Sequence, residues 1–406
     1  MAHTIVNPKK KKEEHHLIGH FKGNINGPTI VFFGGIHGNE PSGVAALQKV
    51  FARLKKQPIP IHGNIFGISG NIRAQLQGTR FLDQDLNRLW TKTNIECIKR
   101  TPEKERTIEE TALLEILEMI RGILDAGNPS SSFYFIDLHS TSSRTLPFIT
   151  INDALINRKF SKQFSVPIIL GIEEYLEGPL LSYINEMGYV SLGFEAGQHF
   201  SEETVHNGIA FIWLALVFSG VINSREVQNI KEYYRQLQKE VGGNTSFYEV
   251  VHRQIISAED DFRMIPGFKS FDRITKGTLL ATTKNENSIR AKKRTILFMP
   301  LYQNQGEEGF FLIRKIPVFA LWLSSLLRKV RLHRTLTILP GISWTGHDAQ
   351  GLLVNRRVAK FLTKPFFHLL GYRNRTLDQT HIIMTNREHK AKNELYRKAA
   401  WFKKRG

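Results

Sequence analysis

The run Thr29-Ile-Val-Phe-Phe33, entered from Gly27-Pro28 and left through Gly34-Gly35, is the tightest constraint in this chain. An unbroken β-branched and aromatic run makes a strand buried on both faces, which needs other elements packed above and below it. Pro41 and Ser42 suit the first turn of a following helix, and Val44, Leu47, Phe51 and Leu54 recur at helical spacing. Strand, loop and helix in this order begin an α/β unit, and open α/β sheets place their ligands at the carboxyl ends of strands. The loop holds His37 and Glu40, an imidazole and a carboxylate three residues apart, which read as two metal ligands.

A second buried strand, Phe133-Tyr-Phe-Ile-Asp137-Leu-His139, delivers another imidazole at its end. Parallel neighbours would bring His37, Glu40 and His139 together. Three protein ligands with a fourth position left to water describe a catalytic zinc site, whereas structural sites are closed and rich in cysteine. This chain has one cysteine, Cys97. Asp137 points the same way along the strand as His139 and suits orienting an imidazole from behind. A histidine satisfied by strand-end backbone is the competing reading for His139.

Between these strands, Thr79 to Trp90 lacks apolar periodicity and reads as a polar loop. Its arginines, Arg80 and Arg88, suit a substrate carboxylate and the oxyanion of a tetrahedral intermediate. Pairing among Arg80, Asp83, Asp85 and Arg88 themselves is the alternative. Further on, Tyr189 to Glu195 is a half-apolar strand that presents one carboxylate just before a glycine turn, and Glu195 is the candidate general base. His199 and His206 read as solvated or capping residues.

Together these segments resemble the succinylglutamate desuccinylase and aspartoacylase family, relatives of the zinc carboxypeptidases, over about residues 25 to 315. The resemblance rests on His37-Gly-Asn-Glu40, Arg80 through Asp85-Leu-Asn87-Arg88, Asp137-Leu-His139-Ser-Thr and Phe194-Glu195-Ala-Gly, in that order. It implies one zinc ion per chain on His37, Glu40 and His139, with Asp85 and Asp137 behind the ligands and Glu195 as general base. It also implies Arg80 polarising the scissile carbonyl, and Asn87 with Arg88 holding a substrate carboxylate. In aspartoacylase-like members a further arginine about ten residues before the catalytic glutamate grips a second carboxylate. That stretch here, Leu181 to Met187, has no arginine, so Asn185 or Tyr183 is expected to line the side-chain pocket and N-acetylaspartate is disfavoured. Tyr302 takes the place of the family's late tyrosine, or else supports a turn.

The expected fold class is α/β: a zinc-carboxypeptidase-like mixed sheet flanked by helices over residues 1–243, a small β-barrel or sandwich over 244–315 that leans on the active site, and a basic, helical extension over 316–406. Gly242-Gly243 marks the first boundary, and short strands separated by Gly, Pro and Asn follow it. Lys9 to Lys12 with Glu13-Glu14-His15-His16 lacks the apolar core of a signal peptide, and both histidines read as solvated. No apolar run approaches the roughly 20 residues a membrane-crossing helix needs. A reduced, cytoplasmic setting fits the single cysteine.

The last 91 residues hold 18 Lys and Arg against 4 Asp and Glu, a net of +14 out of the chain's +19. Phe319, Leu321, Trp322 and Leu326 with Arg328, Lys329 and Arg331 pattern as a basic amphipathic helix, and Lys398, Trp401 and Lys403 to Arg405 repeat the mixture. A solvated appendage, an anionic membrane surface contact and an RNA contact compete, and no nucleic-acid motif accompanies the charge. His347, Asp348 and His381 are not expected to bind metal. The combined expectation is a zinc-dependent deacylase acting on an N-acyl amino acid or similar small carboxylate, with homo-oligomerisation left open. A zinc carboxypeptidase acting on peptides and a binding protein working through the basic tail are the alternatives.

Overall fold

The computed structural model describes residues 15–24, 26–284, 288–303, 305–330, 336–338, 340–345, 351–355, 369–376 and 381–403. The lysine run at 9–12, Arg331, His347, Asp348, Lys404 and Arg405 therefore lie outside the described residues. Seven strands organise the first part: β1 (Leu17–Lys22), β2 (Thr29–Gly34), β3 (Asn64–Ser69), β4 (Phe133–Thr141), β5 (Phe148–Ile151), β6 (Ile168–Leu170) and β7 (Val190–Gln198). β3, β2, β4 and β7 run parallel at the centre, and every residue of β2 and β4 is buried.

Alternation along β2 sorts the two faces. Ile30 and Phe32 join Leu47, Val50 and Phe51 of helix Pro41–Lys56 and Phe211 of helix Glu202–Phe218 in one core. Val31 and Phe33 point the other way, against Leu113, Ile116, Leu117 and Ile120 of helix Ile108–Ala126. That last helix starts at a capping box: the Thr107 hydroxyl accepts from Glu110 N, and the Glu110 carboxylate accepts from Thr107 N. Before β1, His16 is buried rather than solvated as expected, between Ser69 O at 2.7 Å and Glu115 at 2.8 Å.

The next strands are β8 (Phe247–Ile255), β9 (Arg263–Met264), β10 (Arg273–Ile274), β11 (Leu279–Thr282), β12 (Ser288–Arg290), β13 (Thr295–Phe298) and β14 (Glu308–Lys315). They do not form the separate small barrel or sandwich expected from their spacing. β8 pairs in parallel with β6, with Ile168 opposite Phe247, so one mixed sheet runs β1-β3-β2-β4-β7-β5-β6-β8-β14-β13-β10. Phe148 and Ile169 share a cluster with Tyr248, Phe298 and Phe311, which gives the two parts a common core. A three-stranded sheet, β12-β11-β9, packs beside it.

The basic extension also departs from expectation, since it carries a four-stranded sheet as well as helix. After helix Val318–Lys329 come β15 (Ile342–Thr345), β16 (Gly351–Asn355), β17 (Tyr372–Thr376) and β18 (His381–Asn386), in the sheet order β15-β16-β18-β17. The chain then returns to the first core. Tyr396 is wholly buried, its hydroxyl donating to Phe133 O and accepting from Val190 N, and Trp401 packs against Tyr134 and Phe160. Trp401 is thus an anchor rather than part of an exposed basic helix. A buried charge network adds to the attachment: Asp153 accepts from Arg158, Arg328 (2.7 Å) and Arg387 (3.4 Å), and Arg387 also reaches Glu174 at 2.6 Å. Burial alone would raise the Asp153 carboxyl, but these guanidinium groups hold it well below the usual carboxylate range.

Candidate active site

Because β2, β4 and β7 are parallel and in register, their carboxyl ends bring three distant loops to one place. His139 on β4 lies directly opposite Glu195 on β7, and the β2 loop delivers His37 and Glu40 beside them. Donor atoms of His37, Glu40 and His139 lie within 4.8 Å of one another, and all three residues are buried. Nδ1 of His37 is 2.8 Å from Glu40 Oε1, while Nδ1 of His139 is 3.0 Å from Glu40 Oε2, which also accepts from Ser140 N.

Each imidazole is held from behind through its other nitrogen. Nε2 of His139 is 2.7 Å from Asp137 Oδ2, and Nε2 of His37 is 3.2 Å from Asp85 Oδ1. For His139 the carboxylate on Nε2 places the ring proton there and leaves Nδ1 with its lone pair free for a metal, an arrangement metal-bound histidines use. Burial opposes charge on Glu40, yet the imidazoles of His37 and His139 outweigh it and hold its carboxyl well below its ordinary value. His139 behaves conversely: burial disfavours the imidazolium, and Asp137 and Glu40 raise its pKa well above normal. This pocket therefore stabilises positive charge, and a divalent cation on the Nδ1 atoms would replace those protons. The donor set, two imidazoles and one carboxylate with carboxylates behind both rings, fits zinc.

Glu195 is buried beside this cluster, and its Oε2 has no hydrogen-bond partner among the described residues. Burial pushes its pKa up to about 8, with Glu40 and Asp137 adding to the rise and His139 opposing it. A protonatable carboxyl with one free oxygen is what proton transfer at a reacting centre requires. It opens into a cavity of about 140 Å³ that also touches His37, Glu40, His139, Arg80, Asn87 and Arg88.

The polar loop reaches the cavity because Glu109, in the first turn of helix Ile108–Ala126, holds it. The fully buried Glu109 carboxylate accepts from the backbone N–H groups of Leu82 (2.8 Å), Asp83 (3.1 Å) and Gln84 (3.3 Å) and from Asn71 Nδ2 (2.8 Å). Arg80 then donates to Asp85 Oδ2 from Nε and Nη2, with Nη2 2.9 Å from His37 Nε2. Asn87 uses its Oδ1 to accept from Leu180 N, which fixes the start of helix Leu180–Glu186. Arg88 faces Glu308 on β14, Nη2 lying 3.1 Å and 3.2 Å from the two carboxylate oxygens.

Two expected substrate contacts are not in this cavity. Asn185 is turned into the fold: its Nδ2 donates to Leu181 O and Ser191 Oγ, and its Oδ1 accepts from Asn157. Leu181, four residues earlier on the same helix, lines the wall instead. The Tyr302 hydroxyl donates to Ile265 O and accepts from Phe268 N, which makes it a brace within the later strands. Its neighbours tie the later strands to the loops of the site. Gln303 Oε1 accepts from Asn39 Nδ2 at 2.9 Å, and Gln305 Oε1 accepts from Arg80 N at 3.0 Å. His199, expected to be a solvated or capping residue, borders the cavity between Ser140 Oγ (2.8 Å) and Gln303 Oε1 (3.2 Å). His206 is half exposed near Glu202, as a solvated residue should be. Glu109, Glu308, Gln303 and Gln305 carried no sequence signal, because each acts on a partner distant in the chain.

Residues 26–212 match the family model for the Succinylglutamate desuccinylase/Aspartoacylase catalytic domain. Among characterised proteins, a succinylglutamate desuccinylase from Pseudoalteromonas atlantica is 28% identical over 152 residues, 36% of this chain and 42% of that protein. Another from Photorhabdus laumondii is 35% identical over 74 residues, 18% of this chain and 22% of its own length. The chain thus spans less than half the length of these relatives. Among solved structures, a succinylglutamate desuccinylase/aspartoacylase from Rhodobacter sphaeroides and a product-bound ectoine utilization protein from Ruegeria pomeroyi each superpose with a TM-score of 0.53. Both are 16% identical and cover 73% of this chain and 88% of their own, a likeness of fold.

Proposed function

As this chain belongs to the succinylglutamate desuccinylase/aspartoacylase family through residues 26–212, we propose that it is a zinc-dependent deacylase that hydrolyses the amide bond of an N-acyl amino acid or a similar small carboxylate. The observation that carries this reading is the buried Glu195 carboxyl, one oxygen unpartnered, in a cavity shared with the His37, Glu40 and His139 donors and with two arginines. Zinc on those three residues would supply positive charge that polarises a carbonyl and acidifies water.

The chain's own groups divide the remaining work. Glu195 Oε2 accepts the proton of the attacking water and later returns it to the departing amine nitrogen. Arg80, fixed against Asp85, presents its guanidinium to the developing oxyanion. Arg88 and the Asn87 Nδ2 group hold the substrate carboxylate, which must compete with Glu308 for the Arg88 guanidinium. Gln303 and Gln305 hold the later strands against Asn39 and Arg80, a placement that favours small substrates over peptide chains.

Hydrolysis of a panel of acetyl, succinyl and longer N-acyl amino acids by wild-type and Glu195→Gln protein tests the reading. Turnover of at least one member, reduced by about 10² or more in the variant, supports it. Full activity in Glu195→Gln removes the general base, and cleavage confined to peptides favours the carboxypeptidase alternative.

A further inference from the structure

Helix Val318–Lys329 leaves an apolar stripe uncovered. Val318 (79% exposed), Phe319 (67%), Trp322 (57%), Leu326 (41%) and Val330 (61%) fall at spacings that place them along one helical face. They are five of the eleven large hydrophobic side chains exposed among the described residues, so the exposure is concentrated rather than scattered. The opposite face is docked. Leu321 packs against the main core, Ser324 Oγ donates to Leu369 O, and Arg328 is buried against Asp153. Rotating the helix to hide the stripe would break all three contacts. On the exposed face, Phe319 and Trp322 stack with ring centroids 5.8 Å apart.

Along the chain, the charge flanking the stripe has one sign. From Gly309 to His347 the sequence contains no Asp or Glu, while Lys315 and Lys329 stand exposed at the two ends of the helix. Lys159 adds to the C-terminal end: its Nζ lies 4.3 Å from the Phe402 ring, and burial first and Lys329 second lower its pKa. Lys403 follows Phe402 on the surface.

We propose that this stripe and its basic rim dock on the surface of an anionic lipid bilayer, with helix Val318–Lys329 lying in the plane of the interface. Aromatic side chains beside lysines are what the headgroup region accommodates, apolar bodies reaching inwards and ammonium groups meeting lipid phosphates. A 12-residue helix lies on such a surface rather than crossing it, and no helix among the described residues is long and apolar enough to cross a membrane. A second copy of the chain is a poorer occupant. Self-docking would press the lysine rims together, and the five side chains offer roughly 500 Å², short of the about 800 Å² per partner of a stable interface. Nucleic acid has no use for Val318, Leu326 and Val330.

The test is co-sedimentation of the full-length protein with phosphatidylcholine vesicles, with and without phosphatidylglycerol. Binding should require the anionic lipid, weaken as salt rises, and fall about tenfold or more in Phe319→Glu/Trp322→Glu. Reversing Lys315 and Lys329 to glutamate should cost roughly fivefold per residue. The melting temperature shows whether the first variant is folded; if it is not, the lysine pair, which is exposed, decides. Equal binding to neutral vesicles, or unchanged binding in the variants, overturns the proposal. So does a dimer in light scattering that the Glu variant dissociates, or tighter binding to a single-stranded RNA oligonucleotide than to vesicles.

Discussion

Replacing Glu109 with glutamine would change one oxygen into an amide while leaving the side chain's shape intact. The native carboxylate accepts four hydrogen bonds, two on each oxygen, three of them from consecutive backbone N–H groups of the loop that carries Arg80, Asp85, Asn87 and Arg88. A glutamine can accept only on its remaining oxygen, so either Leu82 N and Asn71 Nδ2, or Asp83 N and Gln84 N, would face an N–H₂ group instead. A buried donor left unsatisfied costs about 1–3 kcal/mol, so two cost about 2–4 kcal/mol once the loop relaxes. If that strain is relieved by moving the loop, Arg80 and Arg88 leave their places. The corresponding fall in kcat/KM is about 30- to 1,000-fold, at about 1.4 kcal/mol per factor of ten. Zinc content should hold, since no ligand sits on the loop. Steady-state kinetics on whichever N-acyl amino acid is turned over, with metal analysis of the same samples, would measure both. A kcat/KM within threefold of wild type, at unchanged melting temperature, would refute the argument that Glu109 positions the loop.

Other consequences concern the C-terminal attachment. Trp401→Ala should destabilise by about 3–5 kcal/mol in urea denaturation, because a buried indole packed on Tyr134 and Phe160 leaves a cavity and frees the Tyr134 hydroxyl; a loss below 1 kcal/mol would mean the tail is only loosely attached. The depressed Asp153 pKa predicts stability that is complete above its unfolded value, about 3.9, and is lost as pH falls through the lower folded value. Asp153→Asn, already weakened at neutral pH by its unpaired arginines, should lose less between pH 5 and pH 3 than wild type does, and parallel stability curves would contradict this.

Much of the site was legible because it is built from local signals. A buried strand, a glycine pair and a proline-started helix place His37 and Glu40 with no tertiary information, and the strands carrying His139 and Glu195 announce themselves in the same way. What escaped depends on pairing between distant segments. Nothing in Phe247–Ile255 says that it will add to Ile168–Leu170, so the later strands read as a separate unit when they extend the first sheet. Glu109 looks like an acidic residue favoured in any helix's first turn, and its four acceptor contacts are visible only in the fold. Trp401 sits among lysines and an arginine, and local composition cannot show that the core has room for it. Asn185 and Tyr302 failed for a related reason: a counted spacing fixes how far along the chain a residue lies, not which way a helix or turn aims it.

The central claim is that His37, Glu40 and His139 hold a catalytic zinc ion. Zinc per chain after dialysis, in wild-type protein and in His139→Gln, measured beside hydrolysis before chelation, after it and after zinc is restored, tests it most directly. The account predicts about one equivalent in the wild type, far less in the variant, and activity that disappears with the metal and returns with it. Hydrolysis that survives complete removal of metal, or a His139→Gln protein that keeps both its zinc and its activity, would contradict it.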